Sequence, residues 1–541
     1  MFRLFFRVVR WLATWPRFCG LLTLIFLVRG VFVLSVLPPL EGWDEYQHVA
    51  YIVFLLENDR PPVLHKDNAV PRSLYKELVK YPQCDLAIQQ LRGIGALRYD
   101  DFWRAAAAPV VSKNPPKLRL YQAQQSAFYY RLVAPLYAWL SERGGLLAAL
   151  TGLRALNVCF GGAALFLAML ALGHLVRPGA HRTMLALLIV AQPLFLLDCA
   201  RVANDALAIL LGALAVVTLL VFTPRHVLPA ALVAGLALGF GVLAKAVNLG
   251  LMPFAAYVFL SPAWRKRQAV RRALMGLAVF LLAATAVSFH QYYFNVRHFG
   301  MLAPMQEAVQ NQAEGRTLGD YIQGAASLDW WHQISRRYLR HILWRGGWSM
   351  LSAPGLLVRI HQYLICLAVL GGVFLLRRKV RRRRWLFRQR DVFSRLTVLC
   401  LGMTAALCYH MLQSSLVLPN VATNIWYAAV TFPWLLCLFY QGIAGYPWRW
   451  ITHLLAAEML VVYIATEMYG TMVSMVHAYT GHGWDRVAWD RLSQLHLPGL
   501  GPVMTFPALG LGLVLILLAL GVWVDAIRRG RKRKPRCSTG F

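Results

Sequence analysis

Three carboxylates stand close together in the sequence EGWDEYQHVAYIVFL, directly after the first long apolar stretch. These are Glu41, Asp44 and Glu45, and His48 follows one helical turn later. A carboxylate beside a bilayer loses part of its hydration, which raises its pKa and suits it to take a proton from a hydroxyl group. The same residues also suit the amino end of a helix, where Asp44 would be the cap. We therefore predict Asp44 and Glu45 as catalytic residues, with a helix cap as the alternative.

The four-residue spacing of Asp44 and His48 also invites comparison with zinc hydrolases. Their HExxH motif needs a histidine at its first position, where this chain has Asp44, and no pattern for a further ligand follows. Zinc hydrolysis is therefore disfavoured, and His48 is predicted to contact substrate.

A second cluster of polar residues interrupts the apolar sequence PLFLLDCARVANDALAILL. Asp198, Arg201, Asn204 and Asp205 follow at i, i+3, i+6 and i+7, so they can share one helical face. Ionisable residues at membrane depth are costly and usually functional, although a helix cap is again the alternative. We predict substrate contacts from Asp198, Arg201 and Asp205. Asp205 and Asp44 together could hold a divalent cation, the cofactor that the sequence allows.

Further cations stand near the predicted membrane surface. Lys245 lies alone between two apolar segments, Arg297 ends a crossing, Arg345 lies between two tryptophans, and Arg29 lies within the first crossing. A snorkelling lysine or an interface arginine would be the structural interpretation. Arginine also binds phosphate in a bidentate manner, so we predict Lys245, Arg297 and Arg345 as substrate contacts.

The sequence LYQAQQSAFYYRLVAPLYAWL at 120–140 is rich in aromatic residues. It predicts a helix at the outer interface, with the membrane crossing after Arg154. An ordinary aromatic belt is the favoured interpretation.

The chain as a whole has the composition of a membrane protein. Of its 541 residues 58% are hydrophobic and 15% are charged, whereas soluble domains carry about a quarter charged residues. The 56 Lys and Arg against 23 Asp and Glu give a net charge of +33, which could suggest nucleic acid. Many of these basic residues lie in short runs between long apolar stretches. We therefore exclude nucleic acid and predict an all-α polytopic membrane protein.

Apolar stretches of about 20 residues, the length of a membrane-spanning helix, recur along the chain. We predict about 12 transmembrane helices, within a range of roughly 11 to 13. Their centres lie near Leu27, Leu165, Leu188, Leu211, Leu236, Ala255, Ala283, Val369, Thr404, Trp434, Leu460 and Leu515.

The basic runs predict the orientation of these helices, because short cytoplasmic connections are rich in Lys and Arg. With about twelve crossings, all of the main runs fall on one side. They lie at 3–17, 177–182, 264–272, 377–390 and 528–536. Both termini are therefore predicted to be cytoplasmic, as are a basic loop at 377–395 and a basic tail at 528–541.

This topology puts the long connections on the outer face. They span 38–150, which holds the Asp44 motif, 291–355 and 469–505. Loops of this length are usually functional, so the site is predicted to be extracytoplasmic, within a single integral membrane domain of residues 1–541.

Five motifs, taken in order, resemble a known family. They are the acidic pair after the first crossing, YxAQxxxxYY, NDALA, GLALGxxxLxK and YYFNVRHFG, spread over roughly residues 20–360. In this order they resemble the GT-C superfamily of glycosyltransferases, specifically the branch of protein O-mannosyltransferases and lipid A aminoarabinose transferases with its uncharacterised bacterial relatives. The chain departs from those relatives at 125–128, where QSAF replaces HPPL or QPPL.

The resemblance implies a GT-C-like fold in the bacterial inner membrane. It implies that Asp44, with Glu45 adjacent, is the catalytic base, and that Asp205 and less securely Asp198 supply a second acid. It also implies a polyprenyl-phosphate-linked sugar as donor and inversion at the anomeric carbon. No GxxxxGK[ST] motif or large cytoplasmic loop provides for a nucleotide sugar, which agrees with a membrane-borne donor.

The resulting hypothesis is an inverting glycosyltransferase that acts on a hydroxyl acceptor at the outer face. A lipid or glycan transporter or flippase is the rival class, because a dozen or so crossings with buried Arg and Lys also suit a substrate pathway. A non-catalytic assembly subunit is the third option.

Overall fold

The protein is described here from a computed structural model that covers residues 2–64, 66, 68–223, 226–265, 270–375, 385–389, 391–418 and 423–532. Within these residues the chain is almost entirely helical, with one two-stranded ribbon. Much of the predicted basic loop at 377–395 and most of the basic tail at 528–541 lie outside the described residues, as does part of the basic run at 264–272.

Eight of the described helices are long and apolar enough to cross a membrane. A ninth candidate is a pair of helices, Ala180–Ala191 and Pro193–Cys199, bent by 46° at Gln192. The eight candidate spans are Trp15–Leu34, Phe128–Leu175, Val227–Ala244, Val270–Phe299, Gly355–Leu375, Asp391–Ser415, Arg449–Thr480 and Pro502–Gly530.

Each predicted crossing has its centre on a helix, and the prediction of an all-α polytopic membrane protein is confirmed. Eight centres fall on the long spans and Leu188 falls on the bent pair. The remaining centres, Leu211, Ala255 and Trp434, fall on the shorter helices Asp205–Val221, Met252–Arg265 and Phe432–Ile443. The total of about twelve crossings and the side of each terminus therefore stay predictions.

Short helices fill the segments between the spans, and a helix precedes the first of them. The α-helices are Phe2–Leu12, Glu45–Asn58, Arg72–Val79, Ile88–Leu91, Tyr99–Arg104, Gln306–Ala313, Leu318–Ser327, Trp330–Gln333 and Arg486–Gln494. Short 3-10 helices lie at Arg92–Ile94, Tyr121–Gln124, Ala246–Leu251 and Ile425–Thr431, and π-helical turns at Ile334–Leu339 and Tyr469–Met475. The two strands, Arg345–Gly346 and Leu351–Ser352, pair in antiparallel fashion.

The helix Phe128–Leu175 has a sharp kink in its first half. Gly144 and Gly145 leave the helical conformation there, and Gly145 has a φ of 67°, which glycine adopts without strain. The kink separates an aromatic-rich first part from the apolar second part. Arg154 lies inside the second part, and the expectation that the crossing follows Arg154 stays a prediction.

Close backbone packing joins two of the spans around the site. Val227–Ala244 packs along Val270–Phe299 through Gly235 and Gly239. A Cβ atom added to Gly235 would lie 2.5 Å from the carbonyl oxygen of Phe280, so only glycine allows this approach.

A buried ion pair connects the first span to a late one. Arg29 Nε donates to both carboxylate oxygens of Glu467, at 3.0 and 2.9 Å. The same guanidinium donates to the carbonyl oxygens of Val190 and Ala191, at the break in the bent pair. Arg29 therefore joins three helices and does not line the cavity described next.

Candidate active site

Asp44 immediately precedes the helix Glu45–Asn58, but its side chain does not cap that helix. Its backbone is left-handed, with φ 58° and ψ 12°, a conformation that costs about 1–3 kcal/mol and is found mostly at functional sites. The carboxylate instead accepts hydrogen bonds from the Tyr121 hydroxyl at 2.6 Å and from Gln122 Nε2 at 3.3 Å. The helix-cap interpretation of the Asp44 side chain was therefore wrong.

The turn Tyr121–Gln124 is held against the Asp44 helix by one glutamine. Gln47 Oε1 accepts from the Tyr121 backbone N–H at 3.0 Å, and Gln47 Nε2 donates to the Arg119 carbonyl at 3.0 Å. These two hydrogen bonds fix the position of the turn relative to the helix Glu45–Asn58, so that the Tyr121 hydroxyl contacts the Asp44 carboxylate.

Arg201 links the two acidic motifs. Its guanidinium donates to Asp198 at 2.7 Å, to Asp205 at 2.8 Å and to the carbonyl of Trp43 at 2.9 Å. The contact with Trp43 ties the segment 198–205 to the residue before Asp44. Lys245 Nζ donates to the other oxygen of Asp205, so Asp205 is paired with two cations.

Glu45 is held in a second buried ion pair. Arg154 donates to its two oxygens at 2.8 and 2.6 Å, and the backbone N–H of Val202 donates to one of them at 2.8 Å. The Glu45 side chain has no solvent exposure. Through these contacts Glu45 connects the turn at Asp44 to the helix Phe128–Leu175 and to the segment 198–205.

A cavity of about 1070 Å³ brings the motifs together. Six of the predicted site residues line it, from four separate parts of the chain. They are Asp44, His48, Arg201, Asp205, Lys245 and Arg345. The other three, Glu45, Asp198 and Arg297, do not line it. Asp198 is buried behind Arg201, and Arg297 lies exposed near the end of Val270–Phe299.

Aromatic rings border the charged residues in this cavity. Trp43 and Trp426 stack with centroids 4.2 Å apart and planes within 2°. The Lys245 ammonium lies 4.6 Å from the Tyr427 ring centroid, and the Arg201 guanidinium 5.1 Å from that of Trp43. Such faces stabilise the cations.

The environment of Asp44 favours a proton acceptor with an increased proton affinity. Burial raises the pKa of the Asp44 carboxyl above its ordinary value. The hydrogen bond from Tyr121 and the charges of Arg201 and Lys245 act in the opposite direction. The net direction is upward, which suits a general base better than an ordinary surface aspartate.

His48 is a neutral neighbour of this group. Its Nδ1 lies 2.8 Å from the Tyr130 hydroxyl, and burial lowers the pKa of its imidazole well below the ordinary value, with the Arg201 charge adding to the effect. A neutral imidazole can exchange hydrogen bonds with a substrate hydroxyl without adding charge to the cavity.

The carboxylates fit a divalent cation poorly. Both oxygens of Asp205 are already paired with Arg201 and Lys245, and a metal ion would be repelled by these two cations. Among the described residues, no group of three or more His, Cys, Asp or Glu side chains is placed to hold a metal. A cation cofactor stays a prediction, and the proton transfer proposed here needs none.

Sequence reasoning missed two groups of residues at the site. Tyr121 and Gln122 belong to the segment interpreted as an aromatic belt, and only the resemblance to a YxAQ motif pointed to them. Arg154 was taken for a residue outside the crossing. Its signal was available, because a lone arginine in an apolar helix requires an acidic partner.

No protein-family model matches the chain, and no curated protein matches it. Among solved structures, the chain is similar to the crystal structure of ArnT from Cupriavidus metallidurans bound to undecaprenyl phosphate. The two are 13% identical, with a TM-score of 0.42, and the similarity covers 94% of this chain and 74% of that one. The likeness is distant, so the chemistry of this chain has to be judged from its own site.

Proposed function

We propose that this protein is an inverting glycosyltransferase of the inner membrane. It would move a sugar from a polyprenyl-phosphate donor to a hydroxyl group of a lipid, glycan or protein at the extracytoplasmic face. One observation carries the proposal: the Asp44 carboxylate shares a cavity with Arg201 and Lys245, two cations fixed by Asp205.

In the proposed reaction Asp44 takes the proton of the acceptor hydroxyl. The acceptor oxygen then forms a bond to the anomeric carbon while the bond from that carbon to the phosphate oxygen breaks. The electron pair leaves with polyprenyl phosphate, whose growing charge Lys245 and Arg201 stabilise. Preorganised donors of this kind are typically worth about 3–4 kcal/mol each.

Inversion is favoured because it requires one base, and Asp44 suits that role. A retaining enzyme needs a nucleophilic carboxylate and an acid about 5 Å apart. Glu45 is occupied by Arg154, and Asp205 by Arg201 and Lys245. A further carboxylate, Glu307, lines the cavity from the helix Gln306–Ala313, and we assign the base to Asp44 because the charges of Arg201 and Lys245 act on it.

The decisive experiment replaces the base without changing its shape. Asp44→Asn should lower turnover of a lipid-phosphate sugar in nanodiscs by at least ~10²-fold, while binding of the lipid changes little. The control is Asp101→Asn, because Asp101 is an exposed acid of the same outer segment and does not line the cavity. A folded, fully active Asp44→Asn protein would end the assignment of Asp44.

The same preparation separates this function from that of a flippase. A transferase forms a new glycoside while a fluorescent polyprenyl phosphate keeps its distribution between leaflets. A flippase redistributes that lipid and forms no glycoside. Redistribution of the lipid between leaflets without formation of a glycoside would show that the protein is a transporter and not a transferase.

A further inference from the structure

A tight hairpin forms part of the cavity wall. It is built on the strand pair Arg345–Gly346 and Leu351–Ser352, and Arg345, Trp348 and Met350 line the cavity. Its turn contains two left-handed residues, Gly347 with φ 48° and Met350 with φ 57°. A turn with such a non-glycine residue persists only where surrounding contacts hold it.

Glu41 supplies those contacts. Its carboxylate accepts from the Ser349 backbone N–H at 2.7 Å, and its carbonyl oxygen accepts from the Trp348 backbone N–H at 2.7 Å. The second carboxylate oxygen accepts from the Tyr99 hydroxyl at 3.2 Å. Glu41 is only 1% exposed, so these bonds form away from water and are costly to lose.

The fit around this contact leaves no room for adjustment. A Cβ atom added to Gly347 would lie 2.5 Å from the Tyr479 hydroxyl and 2.7 Å from Glu41 Oε1. Tyr99 and Tyr479 pack against each other with ring centroids 5.1 Å apart. The hairpin tip is therefore seated in a socket made by Glu41, Tyr99 and Tyr479.

Glu41 also belongs to the turn that carries the proposed base. Only Gly42 and Trp43 separate it from Asp44, and Trp43 is tied to Arg201. An added Cβ at Gly42 would lie 2.6 Å from the Arg201 Cβ, so this turn is tightly packed as well. One short segment thus sets both Asp44 and the hairpin bearing Arg345.

We propose that Glu41 is a positioning residue whose side chain fastens the hairpin 345–352 and thereby sets where Arg345 lies relative to Asp44. The inference rests on the proposed function for its role in the reaction, but the fastening itself can be measured without any substrate.

The groups around Glu41 complete this contact. Hydroxyl groups of Tyr99 and Tyr479 and the thiol of Cys84 face the carboxyl from three other segments. Burial raises the pKa of Glu41 from 4.5 to about 7, whereas the hydrogen bonds from Ser349 and the tyrosines act in the opposite direction. The bond from Ser349 therefore stabilises the carboxylate and holds the hairpin at the same time.

Hydrogen exchange of the peptide 345–352 tests the fastening. Relative to the wild type, Glu41→Ala should lose about tenfold in protection corrected for the intrinsic rate, because the Ser349 N–H loses its side-chain acceptor. Glu41→Gln keeps an acceptor oxygen at the same place, so it should restore most of this protection. Glu142→Gln, an exposed glutamate outside the cavity lining, is the matched control and should behave as the wild type.

Equal protection in the wild type and Glu41→Ala would overturn the fastening. Should Glu41→Ala not fold, Glu41→Asp gives a second comparison, because its shorter side chain cannot reach Ser349 without a shift, and wild-type protection there would overturn the fastening as well. Because no substrate is present, a protein without transferase activity would leave this result intact. In an active enzyme, Glu41→Ala should raise the donor KM more than it lowers kcat, and Glu41→Gln should restore the KM.

Discussion

The Tyr121 hydroxyl donates a hydrogen bond of 2.6 Å to Asp44 Oδ1 across 77 residues of chain. This bond orients one oxygen of the carboxylate and leaves the group facing the cavity. It also lowers the pKa of Asp44 against the upward effect of burial, so Tyr121 sets the pH at which the base becomes available.

Tyr121→Phe should therefore shift the acid side of the pH profile. Without the hydroxyl the pKa of Asp44 rises further, and kcat/KM begins to increase at a higher pH than in the wild type. At high pH, where Asp44 is ionised in both proteins, the rates should converge. Tyr137→Phe, at a buried tyrosine outside the cavity, should leave the profile unchanged. An unshifted profile in Tyr121→Phe would show that Asp44 does not limit the acid side.

Glu45→Gln should mainly lower stability. Removing one partner of a buried ion pair leaves the other charge uncompensated, at a cost of roughly 3–5 kcal/mol. Arg154→Gln should produce a similar loss, and the double variant should lose less than the sum of the two. Thermal melting in detergent measures this, with activity expressed per folded molecule. A fully stable but inactive Glu45→Gln protein would instead make Glu45 the catalytic base.

Lys245→Gln should weaken binding of the lipid phosphate. Lys245 lines the cavity with its ammonium beside Asp205, and a charge-assisted bond to phosphate is worth about 1.5–3 kcal/mol. We expect the Kd for polyprenyl phosphate in nanodiscs to rise at least about tenfold. Arg297→Gln serves as the comparison, because Arg297 is exposed and outside the cavity lining. Equal losses in both variants would point to a general charge effect.

Cysteine labelling should place the site outside the cell membrane. In a cysteine-free background, Lys113→Cys should react with an impermeant thiol reagent in intact cells, and Gln389→Cys should react only after permeabilisation. Both positions are exposed, so access depends on the side of the membrane. The opposite pattern would reverse the predicted orientation.

The periodic parts of this fold could be predicted, because apolar length alone determines where a helix can span a bilayer. Thus Leu165 and Leu515 mark helices correctly, whereas Leu211 lies in a helix of 17 residues that begins only at Asp205. The motif order pointed to Asp44, Asp205 and Lys245, and helical spacing pointed to Arg201; all four line one cavity.

The pairing of side chains that are distant in the sequence could not be predicted from apolar length or motif order. Glu45 was predicted with Asp44 because the two are adjacent, yet its partner Arg154 lies 109 residues away and withdraws it from the cavity. Neighbouring residues at a helix start point in different directions, so adjacency does not predict a shared role. Arg297 shows the same limit, since a position near the end of a span does not determine which way its side chain faces.

The pairing of Arg29 with Glu467 has a consequence for how the chain is made. The first span leaves the ribosome 438 residues before its acidic partner, an interval on the order of a minute at about 5–20 residues per second. Val190 and Ala191 are synthesised before Glu467, so their carbonyl oxygens can accept hydrogen bonds from the Arg29 guanidinium in the meantime. The span Trp15–Leu34 thus acquires its final neighbours in two stages. The charge of Arg29 is neutralised only after Glu467 has been synthesised.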